Sequence, residues 1–118
     1  MASEESSARS KSEKVKFLDS KQAYVRAMNA DGLTVIEGTA AWCAQCKAIA
    51  PEVDKLAEEY AEKGVSFYQF DVDENEDIAQ ELGVRVMPTF TIFKDGDIQE
   101  GVSGARPQAL REAIEKNL

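Results

Sequence analysis

The residues of this chain best suited to chemistry are Cys43 and Cys46, its only two cysteines, separated by Ala44 and Gln45. Such a pair at the start of a helix controls thiol acidity. Free backbone N–H groups and the positive end of the helix dipole stabilise a thiolate at the first cysteine and lower its pKa. Cys43 is then the attacking group. Cys46, one helical turn on, is placed to attack the mixed disulfide and release a reduced substrate. Two alternatives stay open on these residues alone: the pair is inert and buried, or it is half of a metal site. A tetrahedral site needs about four ligands, and the chain has no further Cys and no His. As a stabilising bridge the pair is a poor choice, because it closes a very small loop and constrains little of the unfolded chain.

The lack of His also removes Ser-His and Cys-His catalytic pairs and imidazole bases. Fourteen basic against twenty-two acidic residues give a net charge of -8, which repels phosphate backbones, so no nucleic-acid partner is expected. No apolar run approaches the roughly 20 residues of a membrane helix, so no membrane association is expected either. At 118 residues the chain suits one domain that buries its core without staples. Residues 1–13 are rich in Ser, Lys and Glu with almost nothing to bury and read as a flexible N-terminal tail, leaving 14–118 as the folded domain. Met1 to Ser7 carry acids early and no apolar core, unlike a secretory signal or a transit peptide, so a cytoplasmic, reducing location is expected.

The elements that must position the cysteines follow from hydrophobic periodicity. Val15 to Leu18 reads as a short strand. A helix capped by Asp19 or Ser20 follows, with Tyr24, Ala27 and Met28 inward and its end at Asp31-Gly32. Leu33 to Ile36 is a short β-branched run suited to a buried central strand, and Gly38 to Ala41 reads as a small-residue loop leading to Trp42 and Cys43. Beyond it Ile49, Val53, Leu56, Ala57 and Tyr60 recur at helical spacing up to Gly64. The motif therefore opens a long helix, which Pro51 is expected to kink. Val65 to Val72 is the next buried strand, and Asn75 or a nearby Asp caps a short acidic helix through Ile78 and Leu82 to Gly83. Thr89 to Phe93, a turn at Lys94 to Asp97, and Ile98 to Val102 form a hairpin. Pro107 starts a last helix with Leu110, Ile114 and Leu118 on one face. The order is βαβαβαββα, an α/β arrangement.

Several separate motifs agree with one family. Ala41-Trp42-Cys43-Ala44-Gln45-Cys46-Lys47, Pro51 eight residues after the first Cys, Val86-Met87-Pro88-Thr89, Phe93-Lys94-Asp95-Gly96 and Gly104-Ala105 together resemble the thioredoxin family, from about Val15 to Leu118. The resemblance implies the thioredoxin fold, a central mixed five-stranded sheet flanked by four helices. It implies a cis-proline at Pro88 beside the dithiol, with the Met87 backbone pairing to an extended substrate segment by strand addition. Trp42, Gly104 and Ala105 would border the same shallow apolar contact surface. Glu37, six residues before Cys43, stands where the family usually carries a buried Asp that shuttles a proton to the resolving Cys. A carboxyl in that apolar setting has a raised pKa; a strand-end carboxylate facing water is the alternative.

The implied activity is protein-disulfide reduction by the Cys43/Cys46 dithiol in cell redox homeostasis. No cofactor would be bound, and electrons would come from NADPH through a separate thioredoxin reductase to a chain acting as a monomer. A disulfide isomerase or oxidant, or a thioredoxin-fold binding module, are the competing readings. Ala44-Gln45 replaces the family's usual Gly-Pro, and Gln45 restores a backbone N–H that Pro lacks. An added donor near the Cys43 thiolate favours the reduced form and predicts a more oxidising couple. Gly38 and Thr39 replace the usual aromatic pair, which is expected to loosen packing behind the site. Gln69 stands where a Lys often accompanies the buried acid.

Overall fold

A computed structural model describes residues 8–118. Its elements run β1 (Val15–Phe17), α1 (Lys21–Met28), β2 (Leu33–Thr39), α2 (Ala44–Ala61), β3 (Val65–Asp71), α3 (Glu76–Leu82), β4 (Thr89–Lys94), β5 (Asp97–Ser103) and α4 (Pro107–Asn117). The predicted order is therefore observed. The five strands form one sheet in the order β1-β3-β2-β4-β5, with β1, β3 and β2 parallel and β4 and β5 antiparallel to their neighbours.

β2 lies at the centre, and all seven of its residues are buried. Its side chains alternate between two apolar layers, as the pleat requires. Leu33 and Val35 join Ile49, Val53, Leu56 and Tyr60 of α2 and Leu110 and Ile114 of α4 on one face. Ile36 joins Tyr24 and Ala27 of α1, Ile78 of α3, Phe70 and Phe93 on the other. The hairpin turn between β4 and β5 uses Asp95 at φ 51° and Gly96 at φ 90°, the left-handed pair that matches strand twist. Asp95 also caps the neighbouring loop by accepting from the Gly32 N–H at 2.8 Å.

Four expectations are corrected. β2 does not stop at Ile36 but continues through Thr39, because β3 pairs with it as far as Asp71 and β4 pairs with it as far as Gly38. The first helix ends at Met28 rather than near Gly32. Leu118 lies beyond α4 and is 47% exposed, so the buried stripe of that helix is Leu110, Ala113 and Ile114. The first residues also differ from a tail with nothing to bury. Ala8 is 1% exposed against Ala40, Cys43 and Cys46, and Ser10 to Ser12 are hydrogen-bonded to the body of the fold. Residues 1–7 of that expected tail lie outside the described residues.

Packing behind the site is not loose. Gly38 sits opposite Phe70 in the β2–β3 register, and a Cβ built on it would lie 3.1 Å from Phe70 Cζ and 3.3 Å from Val72 Cγ1. The ring from the neighbouring strand fills the space that an aromatic at 38 would take. Gly38→Ala is therefore expected to destabilise the fold by about 1–3 kcal/mol through overpacking, measured by urea denaturation. Phe70→Leu in the same chain should recover part of that loss. A Gly38→Ala chain as stable as the parent would refute the close approach.

Candidate active site

The site lies where the carboxyl end of β2 meets the amino end of α2. Ala40 to Trp42 bridge the two, with the Cys43 N–H donating to the Ala40 carbonyl at 3.1 Å. Cys43 is the N-cap of α2 and has extended backbone geometry, so the first-turn N–H groups face its side chain. Its Sγ accepts from the Cys46 N–H at 3.1 Å. The donor observed is thus the amide of Cys46, not that of Gln45. The two cysteines are joined as a disulfide with Cα atoms 5.3 Å apart, consistent with the Cys-x-x-Cys reading. The two sulfurs can exchange a bond within one turn of helix.

Their environments differ. Cys43 is 5% exposed, whereas Cys46 is fully buried. Cys43 Sγ lies 3.7 Å from the Met87 carbonyl oxygen, a contact that becomes an S–H···O hydrogen bond when the thiol carries its proton. The Met87–Pro88 peptide is cis, and Pro88 is buried. The helix axis passes through Pro51 without a break, α2 being continuous from Ala44 to Ala61.

An open, mainly apolar groove runs beside the disulfide, lined by Trp42, Cys43, Ala44, Gln45, Val86 and Met87. Trp42 is 64% exposed, and its indole N–H donates to Asp73 at 2.7 Å, which fixes the ring. Gly104 and Ala105 do not line this groove. Gly104, at φ 90°, donates its N–H to the Pro88 carbonyl at 2.7 Å, and Ala105 packs against the α2/α4 layer. They border Pro88 and the core rather than the sulfurs. Sequence reasoning missed Val86, whose exposure is legible only once the loop before Pro88 is in place, and Asp73, which resembles any acid after a strand.

Glu37 is buried, so the alternative of a strand-end carboxylate facing water fails. Its strand partners are Gln69 on β3 and Phe90 on β4. Oε1 accepts from Gln69 Nε2 at 2.9 Å, while Oε2 has no hydrogen-bond partner among the described residues. Loss of hydration pushes its pKa up to about 8; the Gln69 bond opposes this and the charge of Asp54 adds to it. The carboxyl is therefore mainly, but not wholly, protonated at neutral pH. Among the described residues no group of Cys, Asp and Glu is arranged to hold a metal ion, and no helix is long and apolar enough to cross a membrane.

Comparison with known proteins agrees with this geometry. A family model for thioredoxin matches residues 14–116. Thioredoxin Asp f 29 of Aspergillus fumigatus is 41% identical over 103 residues, covering 87% of this chain and 94% of that protein. Thioredoxin-2 of Saccharomyces cerevisiae is 43% identical over 88 residues, covering 75% of this chain and 83% of that protein. In three dimensions, the thioredoxin Mala s 13 of Malassezia sympodialis superposes with a TM-score of 0.82 at 40% identity, covering 87% of this chain and 90% of that one. With a bonded cysteine pair at the head of α2 and these likenesses along most of its length, the chain belongs to the thioredoxin family and is a thiol-disulfide oxidoreductase of the protein-disulfide reductase kind.

Proposed function

We propose that Cys43 is the nucleophile, Cys46 the resolving thiol and Glu37 the group that carries the proton between them and solvent. The observation that carries the reading is a bonded cysteine pair at one helix start of which Cys43 lines the open groove and Cys46 does not. In the reduced chain the Cys43 thiolate attacks one sulfur of a substrate disulfide, forms a mixed disulfide and expels the first substrate thiolate. Glu37, as carboxylate, takes the proton of Cys46. The new thiolate attacks Cys43 Sγ, the second substrate thiolate leaves, and the Cys43–Cys46 disulfide is formed. A pKa near 8 suits this transfer, since a base works best when its pKa lies near the working pH.

Extended substrate backbone pairs with the backbone of Met87 beside Pro88, and the groove with Trp42 and Val86 takes apolar side chains. Gly104 and Ala105 support that surface from behind Pro88. A thioredoxin reductase supplying electrons from NADPH restores the dithiol, with no cofactor held by this chain, which acts as a monomer in electron transport and redox homeostasis of the cytoplasm. A solved relative at 35% identity is the mitochondrial thioredoxin 3 of Saccharomyces cerevisiae, so cell fractionation is the direct test of location.

Reduction of insulin by the chain with NADPH and a thioredoxin reductase tests the roles. Cys43→Ser should bring turnover below about one hundredth of the parent rate. Cys46→Ser should instead accumulate a mixed disulfide visible by mass, and Glu37→Gln should slow resolution at pH 7 by roughly ten- to a hundredfold. Turnover retained without Cys43 would overturn the mechanism.

Ala44-Gln45 favours a second reading as an oxidant. The bond to Cys43 Sγ comes from Cys46 N–H, but Pro at 45 would still delete one of the free first-turn N–H groups of α2 that favour a thiolate at its start, so the couple should be more oxidising than that of the same chain with A44G and Q45P. A measured potential equal to or below that variant's would sink this reading. Refolding of a scrambled-disulfide substrate distinguishes isomerase from reductase activity.

Glu37 also sets a pH dependence of stability. It loses its proton near 4.5 when unfolded and near 8 when folded. Between these values the folded state binds the extra proton, so stability falls as pH rises, by up to about 1.4 kcal/mol per unit. The contribution is whole below pH 4.5 and lost above about pH 8. Urea midpoints of the parent and Glu37→Gln chains should therefore diverge from pH 5 to 8 in favour of Gln. Parallel curves would contradict a neutral buried acid.

A further inference from the structure

The segment before β1 is held by side chains that take no part in the exchange itself. Gln69 is buried in the sheet, and its amide uses both of its N–H donors and one of the two acceptor positions of its oxygen. Nε2 donates to Glu37 Oε1 at 2.9 Å and to the Ala8 carbonyl at 3.0 Å, and Oε1 accepts from the Ser10 N–H at 2.8 Å. One amide thus ties the segment to the buried acid. An ammonium could not do this, because it has no acceptor for the Ser10 N–H.

A second anchor comes from α2. Asp54 accepts from the backbone N–H groups of Lys11 and Ser12, each at 3.2 Å, and from the Ser10 hydroxyl. The Ser12 hydroxyl donates to Glu58, one turn further along. Arg9 turns outward and lies over the Phe17 ring, 3.5 Å from its centroid. Between these anchors the Ala8 methyl packs with Ala40, Cys43 and Cys46. Glu37 is therefore faced by Gln69 from β3, Phe90 from β4 and the charge of Asp54 from α2, with Ala8 joined to it through Gln69.

We propose that residues 8–12 form a strap that closes the Glu37 carboxyl off from water, with Gln69 and Asp54 as the positioning residues that hold it down. The strap thereby sets how readily the proton carrier ionises, and for its bearing on turnover the inference rests on the role given to Glu37 above. Opening the strap admits water, which stabilises the carboxylate and lowers its pKa. A fall from about 8 to about 7 would raise the ionised fraction at pH 7 about fivefold.

The test uses the full chain with Ala8→Gln and Ser10→Pro, singly and together. Both changes are neutral, so neither adds a charge near Glu37, and both lie outside the nine elements, so the sheet is not at stake. Carbon-13 resonances of the Glu37 carboxyl are followed from pH 5 to 9, with hydrogen exchange at the Lys11 and Ser12 amides reporting whether the strap is closed. The expected result is protected amides in the parent, exposed amides in the double variant, and a Glu37 midpoint lower by about one unit. The inference is overturned by open-chain exchange in the parent. Amides still protected in the double variant would overturn it too, as would freed amides with an unmoved midpoint. If the midpoint moves while the pH profile of mixed-disulfide resolution does not, the strap stands and the proton-carrying role of Glu37 falls.

Discussion

The position of every group at this site depends on the burial of β2. With layers of helix above and below it and strands hydrogen-bonded along both edges, this strand is buried along its whole length. Its backbone groups are satisfied by the two ladders, so its end is held as firmly as its middle, and what leaves that end is aimed. Four residues later the chain enters α2 at its N-cap, Cys43. A rigid strand end facing a helix start is the arrangement in which α/β sheets repeatedly place their chemistry, at the carboxyl edge of the parallel strands.

The same burial makes polar side chains on β2 expensive. Thr34 Oγ1, Thr39 Oγ1 and Glu37 Oε2 have no hydrogen-bond partner among the described residues. A buried polar atom left unsatisfied costs about 1–3 kcal/mol. For the threonines the structure offers no compensation. For Glu37 the cost is lowered by keeping the proton, since a neutral carboxyl is far cheaper to bury than a carboxylate. Gln69 meets one of its oxygens and leaves the other bare. Such an under-satisfied group is a local conflict between packing and chemistry of the kind that functional sites retain.

Much of this was legible in the sequence, because the signals were local. The helical repeat after Cys43, the hairpin turn at Asp95-Gly96 and the Cys-x-x-Cys spacing each follow from a few neighbouring residues. What escaped depends on contacts far apart in the chain. Gly38 and Thr39 look like loop residues until β3 and β4 are seen to pair alongside them. Leu118 continues the period of α4 beyond the point where that helix ends. Ala8 to Ser12 have too little apolar surface to announce themselves, and their partners Asp54 and Glu58, at i,i+4 on α2, read as a solvated face until the strap is found on them.

Thiol exchange asks for opposite environments at two sulfurs that must also touch. The attacking thiolate has to meet a protein from outside, and the resolving thiol has to be kept from reacting outside. A helix start meets both demands. A rise of about 1.5 Å per residue carries Cys46 roughly 4–5 Å along the helix from Cys43, and of the two only Cys43 lines the groove. Cys46 lies in an apolar setting, with Ala8 and Ala40 packed around the pair. A base for it must also be buried, and an acid buried among apolar side chains has its pKa raised toward neutrality by the same desolvation. The burial that hides the Cys46 sulfur and the burial that raises the Glu37 pKa are consequences of one packing arrangement around the end of β2.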